Sequence, residues 1–410
     1  MKRIIAIIIF GGSLLSCSCT KEENSIPTSK DVNGVITGKQ FIWWNKEEEH
    51  DQSIITTPLI FNGGFIAETH QNGRSYMSLQ NAKDGKIYWK WDDYTFSYDL
   101  ALRDPYGAES GFLFFQRGPR TYCINLNNGK TQWKKIQPFS QYSTTGGYET
   151  EGFMLQDYPD DADIYTGIKI YDLESGILKD KIIPKYKFKN KNVLDEFGSI
   201  LGVERIDSIG KIYYLISYQE SINDKSSYPL ISLYNYTDKK WMYEYKSLST
   251  IELGSQGTLT IINNKIYHSL GNNIICHDLW TGDSLWTTNF RGNFLFGEYM
   301  IDNGTLYCAA EGDGYYALDA ETGAIKWKGE RAPGTSSRMV VLNGVLYYIN
   351  GGDGRLWALD AATGKTLWRL KSPDGYSFKR EINVMQGDGE RKGYVLTSTW
   401  HGACAYEAER

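Results

Sequence analysis

Residues 317–327, Ala317-Leu318-Asp319-Ala320-Glu321-Thr322-Gly323-Ala324-Ile325-Lys326-Trp327, recur almost unchanged as Ala358-Leu359-Asp360-Ala361-Ala362-Thr363-Gly364-Lys365-Thr366-Leu367-Trp368, with 41 positions between the two glycines. A chain that repeats one short unit at this period must set similar supersecondary units side by side, because none of them buries its apolar face alone. Taking the Gly and the Trp four residues later as anchors reveals weaker copies at Gly85/Trp89, Gly129/Trp133 and Gly282/Trp286. Two more are degraded. In Tyr171-Asp172-Leu173-Glu174-Ser175-Gly176, Asp180 stands in the Trp place, and in Tyr234-Asn235-Tyr236-Thr237-Asp238, Trp241 comes one position early. The anchors fall at 85, 129, 176, 238, 282, 323 and 364, in steps of 44, 47, 62, 44, 41 and 41.

The local chemistry is that of an outer hairpin. Apolar and small residues alternate before the turn as a half-buried strand requires; Asp and Thr hydrogen-bond the turn backbone and Gly supplies its positive φ. The following strand carries Trp to a fixed height, where it covers the small Ala of a neighbouring sheet. An inner hairpin has its own mark in Leu342-Asn343-Gly344-Val345 and Asp302-Asn303-Gly304-Thr305, since Asn-Gly between apolar alternations is a strong hairpin signal. Looser versions occur around Asn263-Asn264, Asn62-Gly63 and Ile209-Gly210. Four strands per unit at this period predict an all-β, β-propeller architecture.

The two ends complete each other. Gly393-Tyr394-Val395-Leu396 and Gly402-Ala403-Cys404-Ala405 supply a last inner hairpin and third strand, and no Thr-Gly-x-x-x-Trp follows. Thr37-Gly38-Lys39-Gln40-Phe41-Ile42-Trp43-Trp44 reads as the missing outer strand, its Trp displaced by one. Closure of this kind removes exposed sheet edges. Seven internal copies and one composite predict an eight-bladed propeller of four-stranded antiparallel blades over residues 34–410, its last blade closed by the N-terminal strand.

The Ala-x-Asp-Ala-x-Thr-Gly-x-x-x-Trp pattern resembles the repeat of the pyrroloquinoline-quinone-like (PQQ-like) propellers. That superfamily includes quinoprotein alcohol dehydrogenases and the non-catalytic outer-membrane assembly factor BamB. The dehydrogenase branch implies a disulfide between adjacent cysteines beside the quinone. Cysteines here stand at 17, 19, 123, 276, 308 and 404, without an adjacent pair and without Cys-x-x-Cys-His for a covalent haem. The size and layout are closer to the assembly-factor branch.

Lys2 and Arg3 precede the apolar run from Ile4 to Leu15, which ends in Leu14-Leu15-Ser16-Cys17. The run is too short for a permanent span, and its end resembles a bacterial lipobox. Residues 1–16 are expected to be a lipoprotein signal peptide, Cys17 the lipidated residue, and 17–33 a flexible tether. Lys21-Glu22-Glu23 resembles the surface-export signal of Bacteroidota lipoproteins, so the expected location is the outer membrane, on its periplasmic or cell-surface side. The net charge of −5 becomes −7 once Lys2 and Arg3 are removed, which argues against a nucleic-acid partner. Cys123 and Cys276 take the place of Ala317 and Ala358, Cys308 that of Tyr348 and Cys404 that of Trp357. They read as small buried fillers, not disulfides.

Candidate chemistry is sparse. Gly364-Lys365-Thr366 lacks the P-loop glycine, having Leu359 in its place. Asp157, Asp160, Asp161 and Asp163 lack calcium-loop spacing and read as a solvated acidic loop. The five histidines, His50, His70, His268, His277 and His401, are read as scattered over different blades without zinc-ligand spacing, His401 lying on the rim beside Trp400. The strip Lys185, Tyr186, Lys187, Phe188 and Lys189 alternates charge and aromatics inside the 62-residue step. It is the candidate partner-binding site, against an edge strand whose lysines deter aggregation. No catalytic residue, metal or cofactor is assigned. The expected function is a monomeric, membrane-tethered scaffold that docks an outer-membrane protein partner; a surface glycan-binding lipoprotein and a quinone-dependent propeller enzyme stay open.

Overall fold

The structure is a computed structural model that describes residues 29–30, 35–37, 39–46, 59–71, 74–93, 111–117, 120–136, 144–148, 152–157, 167–172, 174–182, 199–223, 226–248, 256–291, 299–330, 337–379 and 382–410. Within them every regular element is a strand. The sheets are antiparallel meanders that follow one another along the chain; numbered in chain order, they begin with sheet 1 at 59–91 and end with sheet 8, whose first three strands lie in 382–407. First strands of successive sheets touch, for example Val340–Leu342 with Ile382–Gln386 and Ile382–Gln386 with Leu59–Phe61. They therefore form the hub of a propeller, and the fourth strands form its circumference.

The expected eight four-stranded blades are corrected. Among the described residues, seven blades have a full complement of four strands, while sheet 2 has three, Phe112–Arg117, Arg120–Asn125 and Lys130–Ile136. Sheet 7 also departs from a plain antiparallel blade. The hairpin Ser29–Lys30 and Val35–Thr37 extends it to six strands, with Val35 and Ile36 parallel to Arg369 and Leu370. Ser29 and Lys30 belong to the segment expected to be tether.

Burial follows position in the blade. In sheet 7 the second and third strands, Val345–Ile349 and Leu356–Asp360, are almost wholly buried, and the outer strand Thr366–Leu370 is only partly so. The cores lie between neighbouring sheets: Tyr307, Tyr315 and Ala317 meet Leu346, Tyr348 and Trp357 in one, and Val345, Tyr347 and Trp368 meet Val395, Cys404 and Tyr406 in the next. Each large aliphatic side chain so buried, such as Leu346, Val345 and Val395, contributes roughly 1.5–3 kcal/mol.

What locks sheet to sheet is the repeated Trp. Trp327 pairs with Ala317 of its own sheet, lies over Gly364 of the next, and donates from Nε1 to the Ala361 carbonyl at 3.0 Å. Trp89 and Trp43 do the same over Gly129 and Gly85, donating to the Leu126 and Ala82 carbonyls at 2.8 and 2.9 Å. Turn glycines are thus required twice. Gly364 has φ +71°, and a Cβ on it would stand 2.5 Å from the Trp327 ring. Trp286 is an exception: it lies over Gly323, but Tyr267 Oη already donates to the Ala320 carbonyl at 3.1 Å, and the buried indole N–H has no acceptor.

Closure works as the termini suggest. Phe41–Trp44 pairs with Gly402–Glu407, setting Trp43 opposite Ala405. At this seam no Gly turn receives Trp368. Its Nε1 donates to Glu409 at 2.8 Å, and the Lys39 ammonium sits 4.4 Å over the ring and pairs with Glu409 at 3.4 Å.

Sheet 4 corrects the repeat anchor. Leu233 pairs with Tyr243, so Tyr243 and not Trp241 occupies the Trp place, and its hydroxyl donates to the Leu279 carbonyl at 3.0 Å. Lys239, at φ +54°, occupies the Gly place that was assigned to Asp238.

Candidate functional site

Several sequence candidates fall outside the described residues: Cys17, the strip Lys185 to Lys189, His50, and Asp160, Asp161 and Asp163. Cys123, Cys276, Cys308 and Cys404 are buried free thiols in sheets 2, 5, 6 and 8. Burial raises all four, Cys276 to about 12, so they stay protonated and inert at neutral pH. The residues described do not supply the adjacent-cysteine pair of a quinone site.

The histidines are not all on different blades. His268 and His277 share sheet 5, 0% and 2% exposed, with their Nε2 atoms 3.3 Å apart. His277 Nδ1 lies 3.3 Å from the Gly282 carbonyl, which only an N–H can satisfy. Neutral His277 then accepts at Nε2 from His268 Nε2–H. Burial is the main cause holding both below the usual range, with His268 lowered to about 3. The pair is a core feature.

The site with an exposed face lies on sheet 8. In an antiparallel meander, the turn from second to third strand and the connection into the next sheet share one face of the disc. Here these are the turn between Gly393–Thr399 and Gly402–Glu407, and the segment 371–379 arriving from sheet 7. Sheets 6 and 7 carry Asp313 and Asp353 at the corresponding turn; sheet 8 carries Trp400 and His401.

Asp374 ties the two segments together. One oxygen accepts from Ser372 Oγ at 2.6 Å and the Tyr376 amide at 3.0 Å; the other accepts from the Trp400 amide at 3.2 Å and His401 Nδ1 at 3.0 Å. Its side chain is 3% exposed. Burial pushes the carboxyl up, but the donors, led by Ser372 and His401, outweigh it and hold the group below its ordinary value. With both oxygens committed to loop donors, Asp374 positions rather than reacts. Above it stand Tyr376, 62% exposed, and Trp400, 37% exposed; the Tyr376 ring lies 5.6 Å from His401, and the Lys379 ammonium lies 3.5 Å from the Trp400 ring. The result is a rigid aromatic ledge with charge beside it, suited to stacking and hydrogen bonding. Sequence reading placed His401 on the rim but missed Asp374, for which Ser372-Pro373-Asp374-Gly375 is the available turn signal.

Comparison with known proteins agrees with the fold. Residues 257–389 match the family model described as outer membrane protein assembly factor BamB. No curated protein matches the chain in sequence. Among solved structures, BamB from Moraxella catarrhalis is similar with a TM-score of 0.58 at 12% identity, covering 90% of this chain and 99% of that one. Quinohemoprotein alcohol dehydrogenase from Comamonas testosteroni has a TM-score of 0.62 at 12% identity, covering 90% of this chain and 76% of that one. The computationally designed protein Ika8 has a TM-score of 0.61 at 12% identity, covering 88% and 98%. The chain is a PQQ-like β-propeller, a fold present in both a dehydrogenase and an assembly factor.

Proposed function

We propose that the chain is a non-catalytic, membrane-tethered scaffold that binds protein partners at the outer membrane, in a BamB-like role. In this reading Cys17 carries the lipid once residues 1–16 are removed, and the propeller stands on the periplasmic or the cell-surface side. The observation that carries it is the ledge on sheet 8: an exposed Tyr376 and Trp400 held over a fully committed Asp374, a surface built to hold something and not to transfer protons. The family match over 257–389 supports the outer membrane as the setting. The strip Lys185 to Lys189 is a second proposed contact. The test is co-purification after cross-linking in intact cells. An outer-membrane β-barrel protein is expected with the wild-type chain, and Trp400→Ala should reduce its yield by about tenfold, the effect of removing one hot-spot aromatic.

The same ledge supports a second reading, binding of a surface glycan, because flat aromatic faces beside polar groups also suit pyranose rings. Retardation in polysaccharide-containing native gels that is lost with Trp400→Ala, without a protein partner in the cross-linked fraction, would favour it.

A further inference from the structure

Among the described residues, sheet 7 alone carries strands outside its fourth. Val35–Thr37 runs parallel to Thr366–Leu370, with Val35 opposite Arg369 and Ile36 opposite Leu370, and it pairs on its other side with Ser29–Lys30, Ser29 opposite Thr37. An outer strand otherwise presents a row of unpaired N–H and C=O groups, and the hairpin occupies that row. Burial agrees. No residue of Thr366–Leu370 is exposed and Leu367 packs on the core, whereas Leu285, likewise one before the repeated Trp in sheet 5, is 48% exposed. Two short strands do not hold together alone in water, so the hairpin depends on this edge.

The direction of these strands decides where the chain leaves the disc. Thr366–Leu370 runs from the Gly364 turn toward segment 371–379, so Leu370 is at the ledge end of sheet 7. Val35–Thr37 is parallel to it, which puts Thr37, and Ser29 opposite Thr37, at that end as well. The strand that closes sheet 8 begins at the other end. Phe41 pairs with Tyr406 and Trp44 with Cys404, so Phe41 lies toward Glu407 and away from the Trp400–His401 turn. Without the hairpin, the chain upstream of Phe41 would leave from the face opposite the ledge; with it, the chain upstream of Ser29 leaves from the ledge side of the sheet 7 rim. Cys17 stands 12 residues before Ser29 and 24 before Phe41. At about 3.3–3.6 Å per residue the first stretch reaches at most about 40 Å and the second about 80 Å, against a breadth of roughly 50 Å for a folded chain of this length. A tether shorter than the disc is wide passes its direction of exit on to the disc.

We infer that the hairpin is a strap that turns the lipid-anchored propeller, so that the sheet 8 ledge faces the membrane holding the lipid and the Asn303-Gly304 and Asn343-Gly344 turns face away from it. The inference rests on the scaffold reading with Cys17 lipidated, and it deepens that reading: Tyr376 and Trp400 are presented to a protein embedded in the same membrane, not to one arriving from the aqueous side. Lys39, held between Trp368 and Glu409, fixes the chain at the seam independently of the strap, so the strap can be broken without opening the ring.

The test uses the full lipidated chain in vesicles of phosphatidylethanolamine and phosphatidylglycerol that contain acceptor-labelled lipid, with a fluorescent amino acid at 352 or at 362. Gly352 and Ala362 are exposed turn residues at opposite ends of sheet 7, the first on the ledge side. Energy transfer to the lipid is expected to be at least twofold greater from 352. Ile36 is paired on both sides, so Ile36→Pro breaks the ladder and is expected to bring transfer from 362 up to or above that from 352. Twenty Gly and Ser residues inserted between 28 and 29 leave the strap in place but lengthen the tether, and are expected to bring the two positions together. Transfer from 352 no greater than from 362 in the wild type, or a ratio that either folded variant leaves unchanged, overturns the inference; the insertion decides if Ile36→Pro does not fold. The mass of the N-terminal peptide separates the two readings. A chain without lipid on Cys17 overturns both, while a lipidated chain with equal transfer overturns the orientation alone.

Discussion

Asp180 of sheet 3 forms an ion pair with Lys239 of sheet 4 at the point where, elsewhere around the ring, an indole lies over a turn glycine. Asp180 pairs with Ile170 as Trp327 pairs with Ala317, so it holds the Trp place, and Lys239 at φ +54° holds the Gly place. Without a ring overhead, the turn has room for a side chain. The two departures therefore belong together. Asp180→Trp alone should destabilise, because the Lys239 side chain stands where the ring must lie. Lys239→Gly alone should be close to neutral, since relief of a positive φ offsets the loss of a partly exposed ion pair and of the ammonium's contact 3.5 Å over the Tyr236 ring. The double variant should recover most of the loss, which a double-mutant cycle by urea denaturation measures directly.

The glycine under each indole gives a sharper contrast. Gly364→Ala adds a Cβ 2.5 Å from Trp327 and forces alanine to φ +71°, so a loss of about 2–5 kcal/mol is expected. Gly304 has the same φ, +71°, but nothing within 4 Å of a Cβ, and Gly304→Ala should cost only about 1–2 kcal/mol. Equal losses would mean that φ alone requires glycine, and that the inter-sheet Trp contact adds nothing.

The indole N–H of the repeated Trp is satisfied in sheet 6 and not in sheet 5. Trp327→Phe removes a 3.0 Å bond to the Ala361 carbonyl, whereas Trp286→Phe removes a buried donor that has no acceptor. Both lose ring area, so the difference isolates the hydrogen bond. Trp327→Phe should be the more destabilising by about 1–2 kcal/mol in chemical denaturation.

These contacts also explain how far the sequence could be read. The Gly-to-Trp spacing is local, because turn and outer strand are contiguous, and it identifies the propeller from residues alone. The ring closure was legible for the same reason, Trp43 being recognisable beside Gly38. The blade count was not. No inner-hairpin signal marks the second copy, and that sheet has three strands among the described residues where four were expected. Sheet 4 was misread by one position because Lys239 and Tyr243 perform the Gly and Trp roles without resembling them. The Asp374–His401 brace joins residues 27 apart across two loops, and no periodicity reports such a contact. The Lys185 to Lys189 strip lies outside the described residues, so the site argued from structure is a different one.

The buried histidines set a pH dependence. Burial lowers both below the ordinary 6.5, His268 to about 3, so the unfolded chain binds more protons than the folded one between those values. Their contribution is complete above about pH 6.5 and is lost as the pH falls toward 3, at up to about 1.4 kcal/mol per pH unit for each histidine. His268→Phe should flatten the fall in urea midpoint between pH 6.5 and 4.5. A profile unchanged from wild type would remove the pair from the account.

The central claim is that this propeller holds partners and does not oxidise a substrate. The measurement that tests it most directly is cross-linking from position 376 in intact cells, followed by purification of the adduct and incubation of the same preparation with pyrroloquinoline quinone, Ca²⁺ and alcohols. The account predicts an adduct with an outer-membrane β-barrel protein, strongly reduced by Trp400→Ala, and no turnover. Stoichiometric quinone binding with alcohol oxidation, and no protein adduct, would contradict it.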